Sequence, residues 1–224
     1  MIELLRLRGC NAYLIDDDGR RYLVDTGIPG NLKRVKAEVD ELDGVIITHA
    51  HYDHAGSALE ISEHFSCPIY AHRDDHPYLS GEREFRFHGF VGNFIKKLEK
   101  LRRMKYFSPT DLSELRLESF EIIHLPGHTP GSVALKSENT LICGDVLRAV
   151  RKRLISGEYQ IRASSRNFNW SNEEYVKSLH RLSEFPKITV LPGHGIRMSV
   201  SGEEIRRIAE RMENGLGRIQ KEGT

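Results

Sequence analysis

The chain has 224 residues, 39% of them hydrophobic and 29% charged, so it can bury a sizeable core and is too apolar to be disordered. Its formal net charge of +1 gives no global reason to bind nucleic acid or a membrane surface. Cys10, Cys67 and Cys143 are few, odd in number and widely spaced, which implies buried thiols in a reducing compartment and no disulfide framework.

Met1-Ile2-Glu3 opens without a basic stretch leading into an apolar one, and no run reaches membrane-spanning length, so the expected compartment is the cytoplasm. Residues 2–8 and 11–16 read as short strands broken at Gly9, with Asp17-Asp18-Gly19 as a hairpin turn. Arg21–Val24 is a third strand, ending at Asp25-Thr26-Gly27. Pro29 opens a predicted helix through about Leu42, with Leu32, Val35 and Val39 at helical spacing. Gly44–Thr48 is a short apolar strand of the kind covered on both faces. A predicted helix over Ala55–Phe65 and a strand over Pro68–Ala71 continue an α/β alternation.

Residues 72–112 break that rhythm and read as a helical and aromatic insertion. Phe85, Phe87, Phe90 and Phe94 lie among glycines, and Ile95–Lys105 is a basic amphipathic helix that can serve as cap, lid or dimer surface. Ser119–Leu125, Val133–Lys136 and Thr140–Cys143 return as strands. Arg148–Asn169 reads as irregular and basic, followed by a helix over Asn172–Phe185, a strand over Ile188–Leu191 and a terminal helix from Glu203. The order suggests one domain over 1–224, two packed sheets with helices outside.

The most distinctive stretch is Thr48-His49-Ala50-His51-Tyr52-Asp53-His54, directly after an apolar strand. His and Asp together suit zinc or a similar first-row ion. His49 and His51, two apart in a loop, can face one ion, while Asp53 and His54, at the start of a helix, can address a second beside it. Two Gly-rich turns, Leu125–Ser132 and Leu191–Gly195, each present a histidine (His128, His194) from a strand end, and Cys143-Gly144-Asp145 presents a carboxylate in the same way.

The ordered set Asp25, His49–His54, His128, Asp145 and His194 resembles the five motifs of the metallo-β-lactamase superfamily, across residues 25–195. The resemblance implies a four-layer αβ/βα sandwich. It also implies that His49, His51 and His128 hold one metal and Asp53, His54 and His194 another, with Asp145 bridging and Asp25 orienting a ligand. The expected cofactor is two divalent ions, zinc first, with iron or manganese as alternatives. A hydroxide shared by two such ions would attack an ester, thioester or lactone carbonyl, Asp53 shuttling its proton. The resemblance is to the glyoxalase II-like branch without its C-terminal helical domain, as 30 residues follow His194. Arg148 stands where quorum-quenching lactonases have a tyrosine.

Arg148, Arg151, Lys152, Arg153, Arg162 and Arg166 suggest a small anionic substrate if they line the mouth. Arg148, His72 and His88 are the candidate substrate contacts. His64, His124 and His180 read as ordinary histidines. Two other activities remain open: a mononuclear iron persulfide dioxygenase, and a nucleic-acid phosphodiesterase using the basic runs. A homodimer is left open and membrane attachment is not expected.

Overall fold

A computed structural model describes residues 1–85, 104–153 and 157–222, with 216–222 as backbone alone. The strands in chain order are β1 (Ile2–Arg6), β2 (Asn11–Asp17), β3 (Arg20–Val24), β4 (Gly44–Ile46), β5 (Ile69–Ala71), β6 (Thr110–Asp111), β7 (Glu121–His124), β8 (Val133–Ser137), β9 (Thr140–Ile142), β10 (Leu147–Arg151), β11 (Tyr159–Ala163), β12 (Lys187–Leu191) and β13 (Met198–Ser201). The described α-helices are α1 (Leu32–Val35), α2 (Tyr52–Ala55), α3 (Ala58–Phe65), α4 (His76–Leu79), α5 (Asn172–Leu182) and α6 (Gly202–Glu222).

Two sheets form the body. The first runs β1-β2-β3-β4-β5-β6, antiparallel through β3 and parallel from β3 onward. The second runs β13-β12-β9-β8-β7, with only β12 and β9 parallel. The strand period of two assigns alternate residues to opposite faces. Leu14, Leu23, Val45 and Ile47 pack outward against Val35, Ala58 and Ile61 of the helical layer. Tyr13, Ile15, Val24 and Ile46 pack inward against Leu135, Ile142 and Leu191 of the second sheet. The far face of that sheet, with Leu141 and Val190, meets Tyr175, Leu179 and Leu182 of α5 and Ile205 and Ala209 of α6. This is the expected αβ/βα sandwich.

The terminal signals of α5 are local: Ser171 Oγ accepts a hydrogen bond from Glu174 N–H, acids fill the first turn, and His180 and Arg181 lie in the last. Elsewhere the structure corrects the sequence reading. The helix expected over 29–42 is a single turn, α1, because Asn31 is committed to a loop: its side-chain amide donates to the carbonyls of Arg8, Thr26 and Ile28. Val35, Val39 and Leu42 are buried all the same. The helix expected at 55–65 starts earlier, at Tyr52, and is split at Gly56-Ser57, where Ser57 Oγ donates to Ile28 O and accepts from Asn31 N–H.

The span read as irregular, 148–169, contains the β10–β11 hairpin, with Leu147 and Ala149 buried, Arg148 half-buried and Arg151 exposed. Strand β13 was not expected. Within 72–112, β6 extends the first sheet in parallel with β5, so the α/β order resumes there. Residues 86–103 lie outside the described residues, and with them His88, Phe87, Phe90, Phe94 and all but Met104 and Lys105 of the basic helix. Among the described residues, no helix is long and apolar enough to cross a membrane. Cys10, Cys67 and Cys143 are all buried free thiols.

Candidate metal centre

The loops after β3, β4, β7, β9 and β12 carry Asp25, His49–His54, His128, Asp145 and His194 respectively, so the chemistry-bearing side chains gather along one end of both sheets. Val133 N–H donates to Thr48 O at 2.9 Å, which ties the two sheets together beside this end. Gly193 is required by proximity: a Cβ there would lie 2.4 Å from His54 Cε1 and 3.0 Å from Asp145 Oδ1.

The ligand-bearing atoms form overlapping triads. His49, His51 and His128 make one, Asp53, His54 and His194 another, and His49, His54 and Asp145 a third between them, each set lying within 4.8 Å. The three rings of the first triad are 4.5–4.9 Å apart by centroid. Asp145 faces both sides. Its Oδ1 is 3.5 Å from His54 Nε2 and 3.4 Å from His194 Nε2, while its Oδ2 is 3.9 Å from His128 Nε2.

The hydrogen bonds around the rings determine which nitrogen is available. His54 Nδ1 is 2.7 Å from Asp25 Oδ2, so it carries the proton and leaves Nε2 facing the cluster. Thr48 Oγ1 donates to the same carboxylate oxygen at 2.8 Å, which uses its only proton. His49 Nδ1, 3.1 Å from that hydroxyl, must therefore donate to it, again leaving Nε2 as a lone pair inward. His128 Nδ1 is 3.1 Å from Asn169 Oδ1 and 3.0 Å from Ser164 Oγ, so the carboxamide oxygen accepts its proton. The Nε2 atoms of His49 and His128, and Oδ1 of Asp145, are buried and make no hydrogen bond. Three lone pairs so placed are costly in a protein interior unless a cation satisfies them, so the donor set fits a metal ion.

Electrostatics agree. Burial, then the neighbouring imidazoles His54 and His128, pushes His49 well below the ordinary imidazole pKa, and burial with His128 does the same for His51. Both are neutral, as metal ligands must be. For His54, burial is outweighed by Cys10 and then by the carboxylates of Asp25 and Asp145, which together hold it well above the usual value. Burial would raise Asp53, but the contact with His194, at 3.2 Å, prevails and holds it down at about 2. The pocket thus sets neutral His49 and His51 beside the ionised carboxylates of Asp53 and Asp145, and His54 gives up its second proton to any metal it binds.

Several residues beside the centre were missed in the sequence. Asn169 and Ser164 fix His128 from a segment read as irregular. Buried Cys10 lies against Asp25 and His54, and burial pushes its thiol up to about 11, so it is a neutral neighbour. Phe85 packs edge-on against His51 at 4.7 Å and stacks on Tyr78 at 4.0 Å. Asp75, 1% exposed, accepts hydrogen bonds from the loops on both sides of the cluster.

Of the three expected substrate contacts, Arg148 is at the site: its Nε lies 3.7 Å from Asp145 Oδ2. His72 is brought to a different group. It stacks on His124 at 3.8 Å and lines a cavity of 420 Å³ with Arg73, Asp111 and Arg116, whose walls include none of the seven cluster residues. His88 lies outside the described residues.

Comparison with known proteins gives a consistent picture. The family model described as the metallo-beta-lactamase superfamily matches residues 5–194. The chain is 31% identical to the probable metallo-hydrolase MJ0888 of Methanocaldococcus jannaschii, over 86% of this chain and 92% of the relative. It is 28% identical to the hydroxyacylglutathione hydrolase GloC of Haemophilus influenzae, over 61% of this chain and 66% of that one. Among solved structures it resembles TTHA1623 in a di-iron-bound form, with a TM-score of 0.66, 25% identity and coverage of 93% of this chain and 98% of the other.

Proposed function

The chain belongs to the metallo-β-lactamase superfamily, and from that premise we propose that this metallo-hydrolase uses two divalent ions to open the carbonyl of a small anionic ester, thioester or lactone. His49, His51 and His128 would hold one ion, and Asp53, His54 and His194 the other. The observation that carries this reading is the placement of Asp145, one carboxylate oxygen toward each group. Bound there, such a pair of ions supplies an acidified water as nucleophile and a Lewis acid for the carbonyl oxygen. Zinc is the first expectation for the metal. Iron is the second, supported by likeness to a di-iron protein, and manganese remains compatible with the donors.

The side chains divide the remaining work. Asp25 holds His54 directly and His49 through Thr48 in the tautomers that aim Nε2 inward. Asp53, its side chain 39% exposed, is the carboxylate open to solvent; Oδ2 is placed to take a proton from the attacking water and return it to the leaving group. Arg148 sits directly across the β10–β11 hairpin from Arg162, a like-charge pairing that Asp145, 3.7 Å from Arg148 Nε, offsets on one side. Its Nε is buried and makes no hydrogen bond. This pair supports a carboxylate or phosphate on the substrate, outside the reacting carbonyl. GloC, named for a thioester-cleaving activity on a glutathione conjugate, supports the thioester among the three classes.

Metal quantification on the purified protein, followed by a panel of anionic esters, thioesters and lactones with phosphodiesters as controls, tests the reading. Two ions per chain and carbonyl turnover are expected. A single ion at full occupancy, iron with oxygen uptake, or turnover confined to phosphodiesters would replace it.

A further inference from the structure

Asp75 ends the single 3-10 turn, Arg73–Asp75, that follows β5, yet it is buried between the two halves of the His-bearing site. Its Oδ2 accepts from Ala50 N–H at 2.8 Å and from Thr129 Oγ1 at 2.7 Å, and its Oδ1 accepts from Gly131 N–H at 2.7 Å. Ala50 is the residue between His49 and His51, and Thr129 follows His128. One carboxylate therefore pins the backbones that carry all three histidines of the first triad. Thr129 is itself held by Ser132, whose Oγ accepts from Thr129 N–H at 2.9 Å. Gly131 is shaped to this contact, since a Cβ on it would come within 2.7–2.9 Å of Asp75 atoms.

The second triad is oriented chiefly by other contacts. His54 and Asp53 are on α2, His54 is oriented by Asp25, and His194 follows β12. We propose that Asp75 is a positioning residue that sets the distance between the His49–His51 loop and the His128 turn, and thereby the affinity of the three-histidine group for its ion. This rests on the two-ion reading above. Charge-assisted bonds to two backbone amides are stiff, and a ligand displaced by a fraction of an ångström loses affinity before it loses fold.

Zinc competition against a chromophoric chelator tests it, with His128→Ala marking which of two binding steps belongs to the three-histidine group. Asp75→Asn cannot accept from both amides, because one oxygen becomes a donor facing an N–H. It should weaken the marked step by about 10–100-fold and leave the other step unchanged, while the buried N–H left unpaired lowers the melting temperature of the metal-free chain by a few degrees. Thr129→Val, which removes one of the three contacts and keeps the shape, should weaken the same step by less. Wild-type affinity in both variants would overturn the inference. So would equal weakening of both steps, the signature of a merely structural role. A wild-type chain that takes up a single zinc ion refutes the two-ion reading alone; the inference then stands if Asp75→Asn weakens that ion and falls if it does not.

Discussion

Asparagine at position 25 is the sharpest probe of how the ligands are aimed. Asp25 has φ +63°, in the left-handed region that asparagine tolerates better than most residues, so Asp25→Asn adds little backbone strain. The carboxylate accepts from Thr48 N–H on Oδ1, and from the Thr48 hydroxyl and His54 Nδ1–H on Oδ2, at 2.7–2.8 Å. An amide that keeps the Thr48 N–H bond places its NH2 against His54 Nδ1–H, and that bond is lost. The Thr48 hydroxyl would rotate to accept from the new NH2 and turn its own proton toward His49 Nδ1. His49 must then carry its proton on Nε2, the nitrogen aimed at the cluster. A lost hydrogen bond to a charged group is worth about 1.5–3 kcal/mol, or roughly one to two decades of affinity. Zinc competition on Asp25→Asn should therefore show both binding steps weakened by about 10–100-fold. Thr48→Val, which cuts only the relay to His49, should weaken one step. Wild-type zinc affinity in Asp25→Asn, with the fold intact by circular dichroism, would refute the tautomer argument.

Three further outcomes follow. Tyr175 accepts a hydrogen bond from Ser164 N–H at 2.7 Å and donates to Val146 O, joining α5 to the segments that carry Asp145 and support His128. Tyr175→Phe leaves two buried backbone groups unpaired at about 1–3 kcal/mol each, so calorimetry should show a melting temperature lower by at least roughly 4 °C, and an unchanged one would contradict the hub role. Arg148→Ala should raise KM for an anionic ester about tenfold, roughly 1.4 kcal/mol, and leave KM for its neutral analogue alone; equal effects on both would remove the anion subsite. Burial, against the hydrogen bonds from Thr129, Gly131 and Ala50, raises the Asp75 pKa from 3.8 to about 6. The folded chain then holds a proton that the unfolded chain releases between those values. This contribution, up to about 3 kcal/mol, is fully present below pH 3.8 and lost as pH rises through 6. The difference in urea stability between metal-free wild type and Asp75→Asn should shrink or change sign across that window, and a flat difference would argue against the shift.

What could be read in the sequence divides along a physical line. The seven clustered side chains and Asp25 were visible because each is a reactive side chain in a short, punctuated motif after an apolar run. The sheets were visible where a short apolar run is bounded by turn residues, as in β2 and β7. The β10–β11 hairpin was hidden because its outward residues are arginines, which mask the alternation of Leu147, Ala149 and Ile161. Asp75, Ser164 and Asn169 were hidden for another reason. Their partners are backbone amides or ring nitrogens 25 to 56 residues away, which leave no local pattern in composition or period. The one trace was Gly131, required by the approach of Asp75.

The distribution of ligands along the chain has a consequence for assembly. The first sheet and its helices contribute His49, His51, Asp53 and His54; the second contributes His128, Asp145 and His194, and each of the three triads these seven residues form draws on both halves. On the proposed assignment each ion is a cross-link between two hydrophobic half-sandwiches whose shared core is largely aliphatic. Metal uptake then becomes a late event that clamps a seam already closed, and free metal concentration sets how firmly it stays closed, by mass action. Loss of metal would be felt first as breathing along that seam, in the amides of Thr48 and Val133, before either half unravels.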